Sequence, residues 1–418
     1  MERQEKNPET SEKRLRRIPS RRLLQAVYMN VLQEAQAIQS ELVSHRRYLH
    51  KNAETGLVLP KTQAYITETL QKLGYTPKPH RGGVVASLNP TKTGKAFLLR
   101  ADADALPIKE KTGLPFACKT GNMHACGHDM HTAMLLGAAK LLKQREKDLK
   151  GEVRFLFQFG EETLEGATLA IKAGVLSNVT GAFTLHVATA TPLKTGTVVL
   201  AGVGEIAPCA DFFEITVKGK SCHGSTPREG VDALLAGAHI ALALQAIPAR
   251  EISVSDPAVL TLGKFLSGVA ANAIADKANL CGSLRAYDEK TRAYIKNRIK
   301  EIVKHTANAY KAKAETTFTS GCPTLVNDEK LRALALAVTK DLLGEKQVVS
   351  AEGQRGGGSE DFAYVSQETP SVMLALSAGS NAGGYAYPLH HPKTDFDENA
   401  LPIGAALFAE VALRAQKR

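Results

Sequence analysis

Short apolar segments alternate with amphipathic helical patterns through the first half and the last quarter of the chain. Residues 97–101 and 153–159 are apolar runs of strand length, and apolar residues at helical spacing separate them. Strands that alternate with helices of this size predict an α/β fold with a mostly parallel mixed sheet between helices. The predicted strands are 83–88, 97–101, 153–159, 182–186 and 372–376, and the predicted helices are 23–50, 62–73, one starting near residue 129, 164–173, 328–343 and 401–415.

The middle of the chain follows a different order of elements. Its pattern predicts strands at residues 212–218, 258–265, 278–286 and 316–319, and helices at residues 231–246 and 289–311. This βαββαβ order is that of a ferredoxin-like α+β unit. We therefore expect an α/β domain formed by residues 23–207 and 322–418, an α+β domain inserted at residues 208–321, and a basic N-terminal arm at residues 1–22.

The composition is that of a soluble globular protein. With 418 residues, 44% hydrophobic and 23% charged, the chain does not fit the disordered, collagen-like or coiled-coil classes. We find no apolar run near the roughly 18 residues of a membrane helix, and the polar start lacks the apolar stretch of a signal peptide. We expect a cytoplasmic protein with no membrane partner.

The charge is basic but spread along the chain. There are 53 Lys and Arg residues against 42 Asp and Glu residues, which gives a formal net charge of +11. Apart from one cluster between Lys13 and Arg22 the basic residues are scattered, whereas nucleic-acid binding needs a concentrated basic face. We therefore expect no nucleic-acid partner, although the charge could help to attract carboxylate substrates.

The six cysteines favour a reducing compartment over three disulfides, because the chain is long and shows no secretory signal. Five of them are expected to be small buried side chains. Cys126 differs, because it lies in a segment from Met123 to His131 that holds three histidines, one cysteine and one aspartate. Imidazole, thiolate and carboxylate groups are the ligands of a borderline-soft divalent cation such as zinc.

The spacing inside this segment separates stronger from weaker candidates. Cys126 and His128 are two residues apart, so in an extended loop they project to the same side. Asp129 would lie near the N-cap of the following helix. His124 and His131 could be outer contacts of a metal site or ordinary polar residues, and the sequence leaves both alternatives open.

Two adjacent carboxylates follow the predicted strand at residues 153–159. In α/β sheets, sites form outside the carboxyl ends of the strands, which is where Glu161 and Glu162 stand. One of them could bind a cation while the other stays free as a general base. The cation would lower the pKa of a water toward about 7, and the free carboxylate would accept its proton.

Further polar residues stand at strand ends or in loops of the same α/β domain. A lone histidine in an apolar strand is more often a packed core residue than a ligand. Loops from one edge of a sheet converge, however, so we expect these side chains to lie together. They are Asp102 and Asp104 after the strand at 97–101, His186 at the end of the strand at 182–186, and His390 and His391 near the C-terminus.

Cys222 and His223 follow the first predicted strand of the inserted domain. A thiol-protease pair is one interpretation of these neighbours. Adjacent residues seldom face each other, so a packed thiol is the favoured interpretation for Cys222.

Taken together, these segments resemble the metal-dependent aminoacylase and carboxypeptidase family, in particular its branch of hippurate hydrolases, bacterial N-acyl-amino-acid amidohydrolases and plant hydrolases that release auxin from amino-acid conjugates. The family combines a catalytic α/β domain with an inserted ferredoxin-like domain that often dimerises, which agrees with the element pattern. The matching segments occur in family order across about residues 40–415. They are 100–107, 124–131, 157–162, 219–227, 359–362 and 389–397.

The resemblance implies two divalent metal ions per subunit, with Cys126 at the position that bridges them. Zinc, manganese, cobalt and nickel are not distinguished by this ligand set. His391 directly follows His390 where many relatives have Asn or Ser, so His391 remains an alternative ligand. The implied ligands are Cys126, His128, Glu162, His186 and His390.

The resemblance also implies roles in catalysis and binding. Glu161 would be the general base and acid, and His223 would polarise the scissile carbonyl, reaching the active site of a partner subunit in a homodimer. Asn272 and Arg285 match positions that hold the substrate carboxylate, for which the bidentate Arg side chain is suited. Three carboxylates would contact the ligand residues without binding the metal themselves: Asp102, Asp104 and Asp129.

The implied activity is hydrolysis of the amide bond in an N-acyl amino acid, which yields a carboxylic acid and a free amino acid. The residues 163–166 after the glutamates are less glycine-rich than is common in this branch, so the pocket beside the base could differ. One alternative is a dipeptidase or carboxypeptidase of the same fold. A second is a non-catalytic metal- or anion-binding protein.

Overall fold

The computed structural model describes residues 30–90 and 95–416. The predicted arm at residues 1–22 and the first residues of the helix predicted at 23–50 lie outside the described residues. The helices are α1 (Val31–Ala37), α2 (Gln39–Lys51), α3 (Pro60–Lys72), α4 (His128–Gln144), α5 (Gly166–Lys172), α6 (Ala233–Leu244), α7 (Glu289–Ala309), α8 (Glu329–Leu343), α9 (Ala363–Glu368) and α10 (Leu401–Ala415). The strands are β1 (Lys78–His80), β2 (Gly83–Leu88), β3 (Ala96–Asp102), β4 (Val153–Gln158), β5 (Val179–Ala188), β6 (Val198–Ala201), β7 (Gly204–Ala207), β8 (Ala210–Lys218), β9 (Cys222–His223), β10 (Ala258–Ser267), β11 (Ala273–Ile274), β12 (Lys277–Ala286), β13 (Lys313–Cys322), β14 (Leu325–Asn327), β15 (Val348–Ala351) and β16 (Ser371–Ser377).

Eight strands form one mixed sheet in the order β1-β2-β4-β3-β5-β16-β6-β15. The central strands β4, β3, β5 and β16 are parallel to one another, and the outer pairs β1–β2, β2–β4 and β16–β6 are antiparallel. Parallel strands covered on both faces are near-continuous apolar runs, which is why the sequence pattern marks them so clearly. The arrangement agrees with the mostly parallel mixed sheet expected from the sequence.

Helix α4 is a core helix that begins at the carboxyl edge of the sheet. Of its 17 residues, 14 are buried, and all seven residues of β3 beneath it are buried. It packs closely on α10: Met134 of α4 lies so near to Gly404 of α10 that a Cβ atom at position 404 would be 2.2 Å from Met134 Sδ. The start of α4, where His128 and Asp129 lie, is therefore held rigidly against the end of β3.

A second sheet of four antiparallel strands lies between residues 210 and 322, in the order β10-β12-β8-β13. Together with α6 and α7 these strands follow the predicted βαββαβ order. Both helices pack on one face of the sheet around a core of their own, which includes Phe213, Ile240, Leu280 and Ile299. The treatment of residues 208–321 as an inserted domain stays a prediction.

Several strands that the sequence pattern does not predict complete the architecture. Strands β1, β6, β7, β14 and β15 each have four residues or fewer, too few to show a period. β7 and β14 pair as a ribbon over the face of the large sheet. The ribbon side chains Ile206, Ala207 and Leu325 share an apolar cluster with Ala201 and Met373 of β6 and β16.

Two helical expectations are wrong in detail. The single helix predicted at residues 23–50 is divided at Ile38, whose backbone leaves the helical region (φ −104°, ψ 14°) between α1 and α2. The second expectation is that no apolar run approaches the length of a membrane helix. The segment Ala233–Glu251, which is α6 with the π-helical turn after it, is long and apolar enough to span a membrane by length and composition, and 33% of it is buried. One such segment is a weak indication, since helices of soluble proteins meet the same criterion.

Gly83→Ala is expected to lower the free energy of unfolding by about 2–4 kcal/mol. Gly83 has φ +142°, and a Cβ atom would lie 2.1 Å from the carbonyl oxygen of Phe157 in β4. Chemical denaturation measures the loss. The control is Gly113→Ala, since Gly113 has φ +79° but no neighbour within 4 Å of its Cβ position. Equal losses in the two variants would contradict the steric cause.

Candidate metal centre and active site

The predicted site residues of the α/β fold meet at the carboxyl edge of the central strands. Asp102 ends β3, Cys126 precedes α4, Glu161 follows β4, and His186 lies near the end of β5. His390 reaches the same place from the loop before α10 and donates its backbone N–H to Ala125 O at 2.9 Å. Convergence of these loops follows from the parallel order of the strands.

Two groups of donor atoms share Cys126. One combines Cys126, His128 and His186, and the other combines Cys126, Glu162 and His390, with all atoms of a group within 4.8 Å of one another. Cys126 Sγ lies 3.4 Å from His186 Nε2 and 3.3 Å from His390 Nε2. The second group closes with His390 Nε2 at 3.5 Å from Glu162 Oε1. One sulfur atom thus stands between two sets of nitrogen and oxygen donors.

The chemistry of these donors fits divalent cations. His128 Nε2 and Glu162 Oε1 are buried, and neither has a hydrogen-bond partner among the described residues. Buried polar atoms are normally paired, so orphaned atoms aimed at one point call for a ligand. Burial also raises the pKa of the Cys126 thiol, which a neighbouring dication would reverse. Nitrogen, sulfur and carboxylate donors together suit zinc and similar metals.

Backbone carbonyls orient two of the candidate histidine donors. His128 Nδ1 donates to Asp104 O at 2.8 Å, and His186 Nδ1 donates to Val187 O at 2.7 Å. A carbonyl oxygen only accepts, so each ring carries its proton on Nδ1 and presents a lone pair on Nε2. This is how metal-binding imidazoles are commonly held.

The backbone around Cys126 and His390 is unusual. Gly127, between Cys126 and His128, has φ +90°, and a Cβ atom there would lie 2.4 Å from Val187 Cγ2. His390 has φ +64° without being a glycine. A left-handed backbone costs a non-glycine residue such as His390 about 1–3 kcal/mol, and such residues concentrate at functional sites.

Asp104 fixes both glutamates. Its two carboxylate oxygens accept the backbone N–H groups of Glu161 and Glu162 at 3.0 and 3.1 Å. Glu161 is 6% exposed, and its pKa is raised well above the usual value by burial and by the nearby carboxylates of Glu360 and Asp361. In the described structure no ion pair other than a 4.0 Å approach to His128 restrains its carboxylate. Glu161 is therefore a buried carboxylate with a raised proton affinity.

A buried network behind Glu161 was only partly visible in the sequence. Arg100 contacts Asp102 at 2.7 Å, Asp361 at 2.8 Å and Glu360 at 2.9 Å. Asp102 also accepts a 2.5 Å hydrogen bond from His131 Nδ1, so His131 supports the site instead of lining it. Arg100 and the Glu360–Asp361 pair belong to segments that carry the family resemblance, but their mutual contact is a long-range one.

Asp129 anchors a second network that the sequence does not reveal. Its carboxylate accepts hydrogen bonds from His50 Nδ1 at 2.8 Å and from Arg46 at 3.3 Å. His50 Nε2 lies 3.1 Å from Glu110. Burial opposes a charged His50, but its hydrogen bonds to Asp129 and Glu110 raise its pKa to about 9. Arg46 and His50 come from α2, 83 and 79 residues before Asp129, and Glu110 lies in a loop 60 residues after His50.

The remaining predicted residues lie in different places. His391 stacks on Tyr387, with ring centroids 4.5 Å apart, and it is His390 that faces Cys126. His124 is buried, and burial lowers its pKa to about 4. His223 of β9 and Asn272, the residue before β11, are both exposed, and Asn272 O accepts the backbone N–H of Gly224 next to His223. Neither of these last two lines the cavity described next.

A cavity of about 520 Å³ opens beside the donor groups, between the large sheet and the beginning of the four-stranded one. Arg285 of β12 reaches it and donates to Ser359 Oγ at 2.6 Å. Its remaining walls are mostly apolar. The polar side chains at its inner end are Cys126, Glu161, Glu162, His186, Glu360 and His390.

Comparison with known proteins assigns the chain to a family. Residues 98–414 match Peptidase family M20/M25/M40, and the chain belongs to that family. The relatives include the N-acetyl-L-cysteine deacetylase of Bacillus subtilis, 34% identical over 90% of this chain and 88% of the relative. Thermostable carboxypeptidase 1 of Saccharolobus solfataricus is 35% identical over 91% and 97%. The IAA-amino acid hydrolase ILR1-like 4 of Arabidopsis thaliana is 35% identical over 89% and 85%.

Solved structures agree. A protein from methicillin-resistant Staphylococcus aureus matches with a TM-score of 0.85 and 32% identity over 93% of this chain and all of its own. The YXEP protein of Bacillus subtilis, described as a dinuclear metal-binding peptidase, matches with a TM-score of 0.76 and 30% identity over 91% and 99%. The predicted family, the fold class and the prediction of a hydrolase of amide bonds are confirmed.

His50→Gln is expected to flatten the alkaline side of the stability profile. The folded-state pKa of about 9 lies above the unfolded value of 6.5, so the charged His50 stabilises fully below pH 6.5 and progressively less up to pH 9. The group should contribute up to about 3 kcal/mol to the free energy of unfolding, lost over that interval. Denaturant unfolding at pH 6, 7, 8 and 9 measures the slope.

The control is His45→Gln, five residues before His50 in the same helix α2. Burial lowers the pKa of His45, so it is neutral in both states above pH 7.5 and adds no alkaline slope. A His50→Gln variant with the slope of the unsubstituted protein would show that His50 is not charged in the fold.

Proposed function

We propose that this protein is a metal-dependent amidohydrolase that cleaves N-acyl amino acids into a carboxylic acid and a free amino acid. The observation that carries the proposal is the pair of donor groups sharing Cys126, next to the buried carboxylate of Glu161. A relative that is an N-acetyl-L-cysteine deacetylase and another that is an IAA-amino acid hydrolase support this substrate class.

Two divalent ions would be held by the predicted ligands. Bound there, they would lower the pKa of a water toward about 7 and polarise a carbonyl oxygen. The dinuclear description of the YXEP protein supports the number, and the donor set accommodates zinc, manganese, cobalt or nickel. One group comprises Cys126, His128 and His186, and the other Cys126, Glu162 and His390.

Glu161 is proposed as the general base and acid. It would accept a proton from the attacking water and deliver that proton to the nitrogen of the leaving amine. Its burial and the nearby Glu360 and Asp361 raise its proton affinity, which suits a group that must hold the proton between the two steps. The hydrogen bonds from the backbone N–H groups of Glu161 and Glu162 to Asp104 hold this part of the loop in place.

The substrate's carboxylate would be bound by Arg285, which reaches the cavity from β12. His223 of β9 and Asn272, just before β11, are exposed and do not line this chain's own cavity. We therefore propose that they act in the active site of a partner subunit, where His223 polarises the scissile carbonyl and Asn272 assists in binding.

A homodimer through α6 and β10 would supply that partner. Strand β10 is an edge of its sheet, and exposed edges with apolar side chains invite pairing. Two copies of β10 related by a two-fold axis would extend the sheet across the interface. The exposed apolar side chains on this face are Leu234, Leu235 and Leu242 of α6 and Val259, Phe265 and Leu266 of β10.

The broader organisation belongs to the same proposal. Residues 23–207 and 322–418 would form the catalytic domain, and residues 208–321 the lid and dimerisation domain. A cytoplasmic location is supported by the six cysteines, all of which are free thiols. We propose no nucleic-acid or membrane partner.

A dipeptidase or carboxypeptidase of the same family is the second candidate, supported by the carboxypeptidase relative. A dipeptide carries a free ammonium group that needs a carboxylate partner. Among the carboxylates lining the cavity, Glu360 is already paired with Arg100, and Glu161 and Glu162 have proposed roles. This favours the N-acyl substrate. A third candidate, a non-catalytic metal- or anion-binding protein, would show no turnover on a panel of N-acyl amino acids.

Glu161→Gln is expected to lower kcat about 10³-fold or more, because it removes the proton-transferring group while preserving size. Metal content, measured by mass spectrometry of the purified protein, should stay at the unsubstituted level. Glu165→Gln is the matched control, since Glu165 is exposed four residues away. Parallel loss of metal and activity in Glu161→Gln would instead make Glu161 a ligand.

Mixing two inactive variants is expected to restore activity if His223 acts across the dimer. In a heterodimer of Glu161→Gln and His223→Ala, one site keeps an intact Glu161 and receives an intact His223. Random reassortment should give about a quarter of the unsubstituted activity. His305→Ala, an exposed histidine on α7, is the control for His223→Ala and should stay active alone. No recovery from a verified heterodimer would place His223 outside the partner's site.

A further inference from the structure

An apolar slot runs from the proposed metal ligands along one face of the eight-stranded sheet. His186 of β5 is the cross-strand partner of Ala375 in β16, and Ala375 is the partner of Val199 in β6. Cross-strand partners point to the same face of a sheet. Extending this register by two residues places Met373 opposite Ala201, and all five side chains line the 520 Å³ cavity.

The opposite wall of the slot is also apolar. This wall consists of side chains from the β7–β14 ribbon and from β8. They are Ile206, Ala207 and Leu325 of the ribbon and Phe212 of β8. Phe212 is 41% exposed, so the slot reaches solvent at this end. The floor is formed by four side chains that are only half-buried, which means that the ribbon does not fill the space above them; they are Val199, Ala201, Met373 and Ala375.

We infer that this slot binds the acyl group of the substrate, and that the enzyme prefers apolar acyl groups larger than acetyl. This inference rests on the proposed function. A cavity of about 520 Å³ lies within the range of about 300–1,000 Å³ that encloses drug-sized ligands. An acetyl group, with one methyl beyond the carbonyl, would leave most of the slot unfilled.

The polarity of the walls decides which arm of the substrate enters the slot. The amide carbon must lie beside Glu161 and the donor groups, and two arms leave it. The amino-acid arm carries a carboxylate, which would be costly to bury among Val199, Met373 and Leu325 without a partner. Arg285 is the cation available to it. The uncharged acyl arm is therefore the one that suits the slot.

The register also assigns length control to individual residues. Ala375 stands next to His186, so it faces the first carbons after the carbonyl. Ala201 and Met373 lie one row further from His186 and would face the carbons further along the acyl chain. Small side chains at 375 and 201 keep the slot open, and the flexible Met373 partly closes it.

A series of N-acyl alanines tests the inference on the metal-loaded full chain. The acyl group is lengthened from acetyl through butanoyl and hexanoyl to octanoyl, and kcat/KM is measured for each. We expect kcat/KM to rise about fourfold per added methylene until the slot is filled. In a companion series, the acyl group stays acetyl and the amino acid changes from alanine to leucine and phenylalanine, with a smaller expected rise.

Three variants locate the effect. Ala201→Leu should shift the preferred acyl length downward and lower the octanoyl-to-acetyl ratio of kcat/KM at least tenfold. Met373→Ala should shift the preferred length upward, so a folding defect in one variant does not remove the test. Ala337→Leu, on the exposed face of α8, makes the same change as Ala201→Leu elsewhere and should leave the ratio as it is.

Each outcome is decisive. A rising series whose optimum moves in opposite directions in Ala201→Leu and Met373→Ala supports the slot. A flat or falling acyl series from an enzyme that hydrolyses N-acetylalanine overturns the slot but leaves the proposed function standing. A steep rise in the amino-acid series alone would place the other arm in the slot and overturns the inference. No hydrolysis of any compound overturns the proposed function and this inference together.

Discussion

One buried carboxylate connects the three chain segments that form the site. Asp104, which is fully buried, accepts the backbone N–H groups of Glu161 and Glu162, and its own backbone carbonyl orients the His128 ring. A buried carboxylate is stable only where its oxygens are paired, so loss of either hydrogen bond would leave a buried oxygen unpaired. The end of β3, the start of α4 and the loop after β4 are thereby fixed relative to one another.

The polar groups behind this junction are paired in the same way. Arg100 compensates Asp102, Glu360 and Asp361 on one side of the site, and His50 and Arg46 compensate Asp129 on the other. Breaking a buried pair leaves an uncompensated charge, which is why such networks hold their geometry. The atoms left over, His128 Nε2 and Glu162 Oε1, are those that face Cys126. The paired charges around them leave these two donor atoms available for a cation.

The short strands β6, β7 and β14 form walls of the cavity beside this centre. β6 extends the sheet past β16, and the β7–β14 ribbon lies over the extension without filling the space beneath it. The four-stranded sheet contributes Arg285 from β12, and β9 and β11 form a separate two-stranded sheet. The cavity therefore has a polar inner end, one cation and an apolar slot, whereas His223 lies outside it.

The sequence by itself determined the fold class and most of the candidate centre. Long apolar strands and amphipathic helices carry their period locally, so the pattern located β3, β4, β5, α4 and the βαββαβ order. The clustered motif around Cys126 and the Glu161–Glu162 pair marked the chemistry, because those residue types stand together in the chain. Only the tertiary structure decided which of His390 and His391 faces Cys126. It also decided the pairing of Arg46 and His50 with Asp129 and the register that sets Ala375 beside His186. Each of these depends on contacts between residues far apart in the chain, or on strands too short to show a period, and no local pattern encodes such contacts.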